Sequence, residues 1–375
     1  MAFLEVPAQH LRNLSLVIVD RAGNKQVLAS DASFGGLAWS ADGDEVWFTR
    51  SEVKGATTLY AATPAGRQRL IARLPGNFVL QDISRQGHLL LLHNNPRTEI
   101  IGLAPGNTKE SDWSWLDASN VSDISNDGKM LLITEDGEGG GANRSIYWRK
   151  TDGSPAVLLG HGGAFGLSPD ERFAIQFLDT SSQQLFLLPV GAGEPRLLNT
   201  EPIITYTMAQ IFPDGKRILI AGSEPGKGVR CYVQDLAGGS PRPITPEGIR
   251  VKVCGKLISP DGKLVVAFAP DGIVTLYPVE GGEPRPLPGI TPGEIPIRWN
   301  GDGRSLFIFR GQEMPAKLYR FDVSTQQREP WKELMPSDPA GVSMTNFVAL
   351  TPDGKSYAFT YERTLSDLYL VEGLK

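Results

Sequence analysis

The sequence predicts an all-β protein: a single β-propeller over residues 1–375, built of four-stranded antiparallel blades. Three observations predict it. A Pro-Asp-Gly type of turn recurs along the chain, the segments after each turn are apolar at nearly every position, and 42 Gly with 28 Pro point to many turns and few long helices.

Aligning on the turn gives "WSADGDEVWF" from Trp39, "ISRQGHLLLL" from Ile83, "ISNDGKMLLI" from Ile124 and "LSPDERFAIQ" from Leu167. The series continues with "IFPDGKRILI" from Ile211, "ISPDGKLVVA" from Ile258, "WNGDGRSLFI" from Trp299 and "LTPDGKSYAF" from Leu350. The eight turn positions, Asp42, Gln86, Asp127, Asp170, Asp214, Asp261, Asp302 and Asp353, lie 44, 41, 43, 44, 47, 41 and 51 residues apart. Periods near these values mark solenoids or propellers.

Each copy leads into a second motif, an apolar strand, a Gly-containing turn and a short strand, as in "QLFLLPVGAGEPRLL" and "IVTLYPVEGGEPRPL". One unit therefore holds four short strands, which is the arithmetic of a propeller blade. Eight copies predict eight blades, with seven plus one degenerate repeat as the alternative. The ends "LSLVIVDRAGNKQVLA" and "SYAFTYERTLSDLYLVEGLK" each supply an incomplete unit, so the N- and C-terminal strands are expected to share a blade and close the ring. Deleting Ser366 to Lys375 is then expected to lower the melting temperature.

The turn chemistry explains the repeated acid. Pro presets φ near −65°, Asp bonds back to nearby amides, and Gly takes the positive-φ position that starts the return strand. A catalytic carboxylate would be singular or paired, whereas Asp occupies seven of the eight turns.

Other constellations fail on context. No G-x-S-x-G elbow exists, and "GLSPD" and "GSEPG" fall in repeat turns and their loops. His10, His88, His93 and His161 are scattered, so no metal is expected, and no cofactor. The loop "TEDGEGGGANRS" runs into a strand without the Lys-Ser/Thr ending of a phosphate loop and reads as a connector between second and third strands. Cys231 and Cys254 read as buried free thiols, and Trp113 and Trp115 as packing in the outer part of a blade.

Propellers bind where loops converge at one end of the ring. The loops between second and third strands contribute Arg50, Asn94, Glu135, Asp179, Glu224, Asp271, Arg310 and Glu362, the candidate ligand-binding set. A net charge of −5 without a basic block argues against nucleic acid, and no apolar run is long enough to insert in a membrane. The expected partner is a protein or a small polar ligand, the expected state a monomer. A cytoplasmic or periplasmic location depends on any segment upstream of Met1.

The "SPDGK" turns resemble the repeats of TolB-like and WD-like bacterial propellers. The strings "GLAWSADGDEVWFT", "RKTDGSPAVLLG", "FPDGKRILIAGSEPG", "YVQDLAGGSPRPITPEG" and "YERTLSDLYLVEGLK" are similar to the C-terminal propeller region of bacterial serine/threonine protein kinases of the acidobacterial type. That resemblance implies a non-catalytic sensor or interaction module. The chain itself has no V-A-I-K lysine, H-R-D loop or D-F-G; "DASFGG" from Asp31 matches the last only superficially. Two other readings stand beside it: a propeller hydrolase or lyase with a discontinuous site in the central channel, and a scaffold for a separate peptidase or kinase chain.

Overall fold

A computed structural model describes residues 1–6, 14–31, 33–51, 56–178, 183–252 and 255–374. Apart from one 3-10 turn at Glu138–Gly140, the regular structure among these residues is strand. Eight antiparallel sheets form among the described residues, as many as the turn copies, and the all-β propeller class read from the sequence holds. The backbone groups into two compact units, residues 1–96 with 364–375 and residues 97–363.

The turns are built as their residues demand. In the fifth to eighth of them, Gly215, Gly262, Gly303 and Gly354 take φ of 68°, 71°, 67° and 70°. Ser259 Oγ donates to Asp261 Oδ1 at 2.6 Å, and the Lys263 amide donates to the same oxygen at 3.1 Å. Thr351 and Asp353 repeat this at 2.7 Å, and Ser168 and Asp170 at 2.6 Å. The Ser168 and Ser259 hydroxyls hold the Asp170 and Asp261 carboxyls below the usual value of 3.8. These carboxylates are consumed by turn geometry.

The larger unit holds six sheets arranged as a closed ring. Their inner strands are Ser119–Ile124, Gly163–Leu167, Thr205–Ile211, an irregular segment carrying bridges at Lys256 and Ile258, Ile295–Trp299 and Val342–Leu350. Five of the six junctions carry a polar link, and the sixth, between Gly163–Leu167 and Thr205–Ile211, packs through Phe165, Ala209 and Ile211. Asp123 Oδ2 accepts the Leu167 amide at 2.7 Å, Gln210 Oε1 accepts the Leu257 amide at 2.9 Å, and Trp299 Nε1 donates to the Leu257 carbonyl at 3.1 Å. The Gly301 amide reaches the Pro352 carbonyl at 2.8 Å, and Thr360 Oγ1 accepts the Val121 amide at 2.9 Å, which completes the circle. Between these links lie dry layers such as Phe212, Leu219, Val265, Leu276, Trp299 and Phe321, each buried. A single four-stranded sheet would leave both faces wet, so this stacking is where the stability arises.

Closure is by a shared sheet, as expected, but other strands do the sharing. The order is Ser111–Asp112, Leu89–Leu103, Tyr357–Val371, Val342–Leu350, joining the start of the larger unit to its end. The N-terminal strand Leu14–Val19 does not join it; it pairs with Ala2–Glu5 and Lys25–Asp31 in a three-stranded sheet. The physical reason is the unbroken run "LLLLHNNPRTEIIGL", whose fifteen residues serve first as a second strand beside Asn77–Ile83 and then as a third strand of the closing sheet. Ser366 to Lys375 consequently belong to the smaller unit, and the residues that close the ring are 357–363.

The smaller unit stacks the three-stranded sheet, the sheet Phe34–Trp39, Val46–Ser51, Thr57–Ala62, Gln68–Leu74, and the sheet begun by Asn77–Ile83. Leu16, Leu28, Phe34 and Phe48 fill one layer, Trp47, Leu59, Leu80 and Leu91 the next. Gly36 is required there, because a Cβ would collide with the Leu80 carbonyl.

The connector reading of "GEGGGA" holds: Asp117 accepts the Glu138 and Gly139 amides at 3.0 and 3.1 Å and fixes the loop between two paired strands. Trp113 is buried at 1% exposure, while Trp115 is partly exposed beside Arg149. Cys231 is fully buried and burial pushes its thiol up to about 12; Cys254 lies outside the described residues. The native protein is therefore expected to show no fast reaction of Cys231 with a thiol reagent at neutral pH, with labelling appearing only on unfolding.

Candidate functional site

Because the inner strands of the larger unit run side by side in one direction, their first turns gather at one end of the ring. There they enclose a cavity of about 370 Å³ to which all six sheets contribute. Pro169, Pro213, Pro260 and Pro352, from four of the turns, form an apolar rim. Below them sit Asp123, Gln210, Lys256 and Arg298, polar side chains on otherwise apolar strands.

Local backbone irregularity accompanies these side chains. The strand pairing slips by a residue just before Asp123 and again before Arg298, between Val121 and Asp123 and between Pro296 and Arg298. The same slip between Leu80 and Asp82 and between Ala164 and Gly166 makes the bulge a feature of the repeat, one that re-aims the side chain after it.

Asp123 is the anchor of the cavity. Its Oδ2 lies 2.5 Å from Lys256 Nζ and accepts the Leu167 amide, while Oδ1 accepts the Ile124 amide at 2.8 Å. At 4% side-chain exposure, the carboxylate is fully used in holding Lys256 and two strands together. Lys256 Nζ also donates to the Leu167 carbonyl at 3.3 Å.

Arg298 is the contrasting case. It is 7% exposed, its Nη2 donates to Asn126 Oδ1 at 2.7 Å, and its Nε has no partner among the described residues. Burial pushes its guanidinium down to about 10, against the opposing pull of Asp123 and Asp353. A buried cation without a carboxylate beside it is costly unless something else supplies the charge.

Glu171 completes the lining. It stands where the other seven turns carry Gly, and it adopts φ of 61°. Burial first, then the neighbouring Asp127 charge, raise its carboxyl above the ordinary value, while the Asn126 amide opposes them. The left-handed conformation costs a non-glycine residue about 1 kcal/mol or more.

The set anticipated from the sequence is placed elsewhere. Arg50 and Asn94 belong to the smaller unit, and Asn94 is not in a loop: it lies inside strand Leu89–Leu103, where the ladder runs on past it and Ser366 donates to its side chain. Glu362 likewise lies within strand Tyr357–Val371, bonded to Asn346. Glu135 ends a strand at 0% exposure, accepting bonds from Ser119 and the Leu116 amide. Glu224 pairs with Lys227, Arg310 with Glu313, and Asp271 accepts the Ile273 amide. Asp179 lies outside the described residues. Within the larger unit, Glu135, Glu224, Asp271, Arg310 and Glu362 fall at the end of the ring opposite the cavity, because a second strand starts at the turn end and finishes at the other.

The cavity residues had a signal in the repeat. Four positions before the turn residue stand Asp82, Asp123, Gln210 and Arg298, the last three lining the cavity, where the other copies carry Ala38, Gly166, Leu257 and Ala349. A polar residue in a column of the inner strand is the mark of a side chain facing the channel.

Among the described residues no group of three or more His, Cys, Asp or Glu is arranged to hold a metal ion, and no helix is long and apolar enough to cross a membrane. No protein-family model and no curated protein sequence matches the chain. Solved structures do. A putative TolB from Agrobacterium tumefaciens superposes with a TM-score of 0.53 at 18% identity, covering 72% of this chain and 99% of that one. An oligogalacturonate lyase from Vibrio parahaemolyticus gives 0.44 at 17% identity, over 75% of this chain and 76% of that one. A puromycin-hydrolyzing peptidase from Mycobacterium tuberculosis gives 0.44 at 16% identity, over 86% of this chain and 59% of that one. At such identities the likeness concerns the fold, and the fold is that of a TolB-like β-propeller.

Proposed function

We propose that the chain is a non-catalytic recognition propeller that takes its ligand in the cavity at the turn end of the larger unit, in the manner of the sensor region of a receptor-like bacterial serine/threonine kinase. The observation that carries this is Arg298, a buried guanidinium lining an open cavity with no carboxylate partner beside it. The remaining strong charges favour binding over chemistry, because Asp123 and Lys256 are committed to each other and to backbone groups. One observation favours the alternative of a hydrolase or lyase: Glu171 lines the cavity with a carboxyl raised by burial, as a general acid would need.

The test is a thermal-shift screen of small polar metabolites and short peptides against the wild type, a rim variant (Pro213→Arg) and a variant of the opposite end (Glu224→Ala with Arg310→Ala). Stabilisation that disappears in the rim variant and persists in the other is the expected result. Loss in the opposite-end variant alone would move the site to the loop end, and chemical conversion of a stabilising compound would favour the enzyme.

A further inference from the structure

The charges around the cavity are balanced, yet two of them are left without a partner. Lys256 and Asp123 satisfy each other at 2.5 Å. Arg298 and Glu171 do not meet: among the described residues no carboxylate lies within ion-pair distance of the first and no cation within ion-pair distance of the second, Lys129 acting on Glu171 only from further away. Both side chains line the same space.

Asn126 sets their separation. Its side-chain Oδ1 accepts Arg298 Nη2 at 2.7 Å, and its backbone amide approaches the Glu171 carboxylate. One residue thus carries a buried cation on one side and a half-buried anion on the other. Direct neutralisation of the two would be the cheaper arrangement in a folded chain.

Glu171 adds an independent observation. The turn it occupies is made with Gly in seven of eight copies, and the left-handed φ of 61° disfavours any side chain with a Cβ. A strained residue that also places a charge at a cavity points to a role in that cavity.

We infer that the cavity binds a zwitterion, an amino acid or a short peptide, with its carboxylate on Arg298 and its ammonium on Glu171. This rests on the reading of the cavity as the recognition site. A phosphate or dicarboxylate fits less well, because the lining carries the Asp123 and Glu171 carboxylates as well as Lys256 and Arg298. The apolar share of the lining, Ile124, Leu167, Ile258 and Trp299 with the proline rim, suits a hydrophobic side chain, and about 370 Å³ accommodates one or two residues.

The experiment is calorimetry, together with Trp299 fluorescence, on the full chain with five probes: L-leucine, L-leucyl-L-leucine, 4-methylpentanoate, isoamylamine and inorganic phosphate. The expected result is binding of leucine or dileucine at least tenfold tighter than binding of the acid, the amine or phosphate. Arg298→Met is expected to weaken that binding at least tenfold. Glu171→Gly restores the common turn residue, so it is expected to fold with undiminished stability and to bind leucine no more tightly than 4-methylpentanoate. Equal affinity for acid and zwitterion in the wild type, or an unchanged preference in Glu171→Gly, overturns the zwitterion while leaving the cavity as an anion site. Preference for phosphate overturns it in the same way. If none of the five binds at millimolar concentration, the inference fails, and the stabilisation screen decides separately whether the cavity recognises anything else.

Discussion

A chain ending at Ser356 is expected to lose the cooperative folding of the larger unit. The cut removes the strand that lies between Val342–Leu350 and Leu89–Leu103 in the closing sheet, leaving two edges with no partner. It also removes Tyr357, Phe359 and Tyr361, which are 2%, 0% and 4% exposed. Loss of each such aromatic costs about 3–5 kcal/mol, so the three together approach or exceed the roughly 5–15 kcal/mol by which a whole domain is stable. A chain ending at Arg363 keeps these residues and loses only a part of the smaller unit. Hydrogen exchange followed by mass spectrometry separates the two: protection of 342–350 and 119–124 is expected to vanish in the first truncation and persist in the second. Retained protection in the chain ending at Ser356 would show that the ring does not depend on this strand.

Asp123→Ala is expected to destabilise the protein by about 3–5 kcal/mol, the usual cost of breaking a buried ion pair by removing one partner. Lys256 would keep its charge at 22% side-chain exposure without a counterion, and the Leu167 and Ile124 amides would lose their acceptor. Arg298, which Asp123 supports from a distance, would be left with less compensation. Asp123→Asn can still accept from the amides and is expected to cost less. The double change Asp123→Ala with Lys256→Met is expected to recover much of the loss, because it removes the stranded charge. Urea denaturation of the four proteins measures this. A single-mutant cost below about 1 kcal/mol would mean that the pair is solvated and is not a buried ion pair.

Much of the fold is legible in the residues because its units are local. Pro-Asp-Gly, a following apolar strand and a second glycine turn specify a hairpin within some twenty residues, and their recurrence specifies a stack. The seam was harder to read. "LLLLHNNPRTEIIGL" looks like a strand with a polar interruption at Asn94, yet the strand crosses Pro96 without a break, so that it pairs with Asn77–Ile83 in its first part and belongs to the closing sheet in its second. Which strands close a ring depends on pairings between residues remote in the chain, such as Val121 with Thr360, 239 positions apart, and no local pattern encodes them.

The cavity is less legible than the loop set for a related reason. Glu224, Arg310 and Asp271 are conspicuous as charged residues near loops, but their neighbours Lys227, Glu313 and Ile273 satisfy them. Asp123, Gln210 and Arg298 are inconspicuous one at a time, each a single polar residue in an apolar strand. They come together only where inner strands from different repeats line one cavity.

The order of residues alone decided that this chain forms short antiparallel sheets with Asp-rich corners, since turn chemistry and strand patterning act over a few residues. The folded ring alone decided which charges meet, because Asp123 and Lys256 are brought together, and Arg298 is left facing open space, by packing between sheets that are remote along the chain.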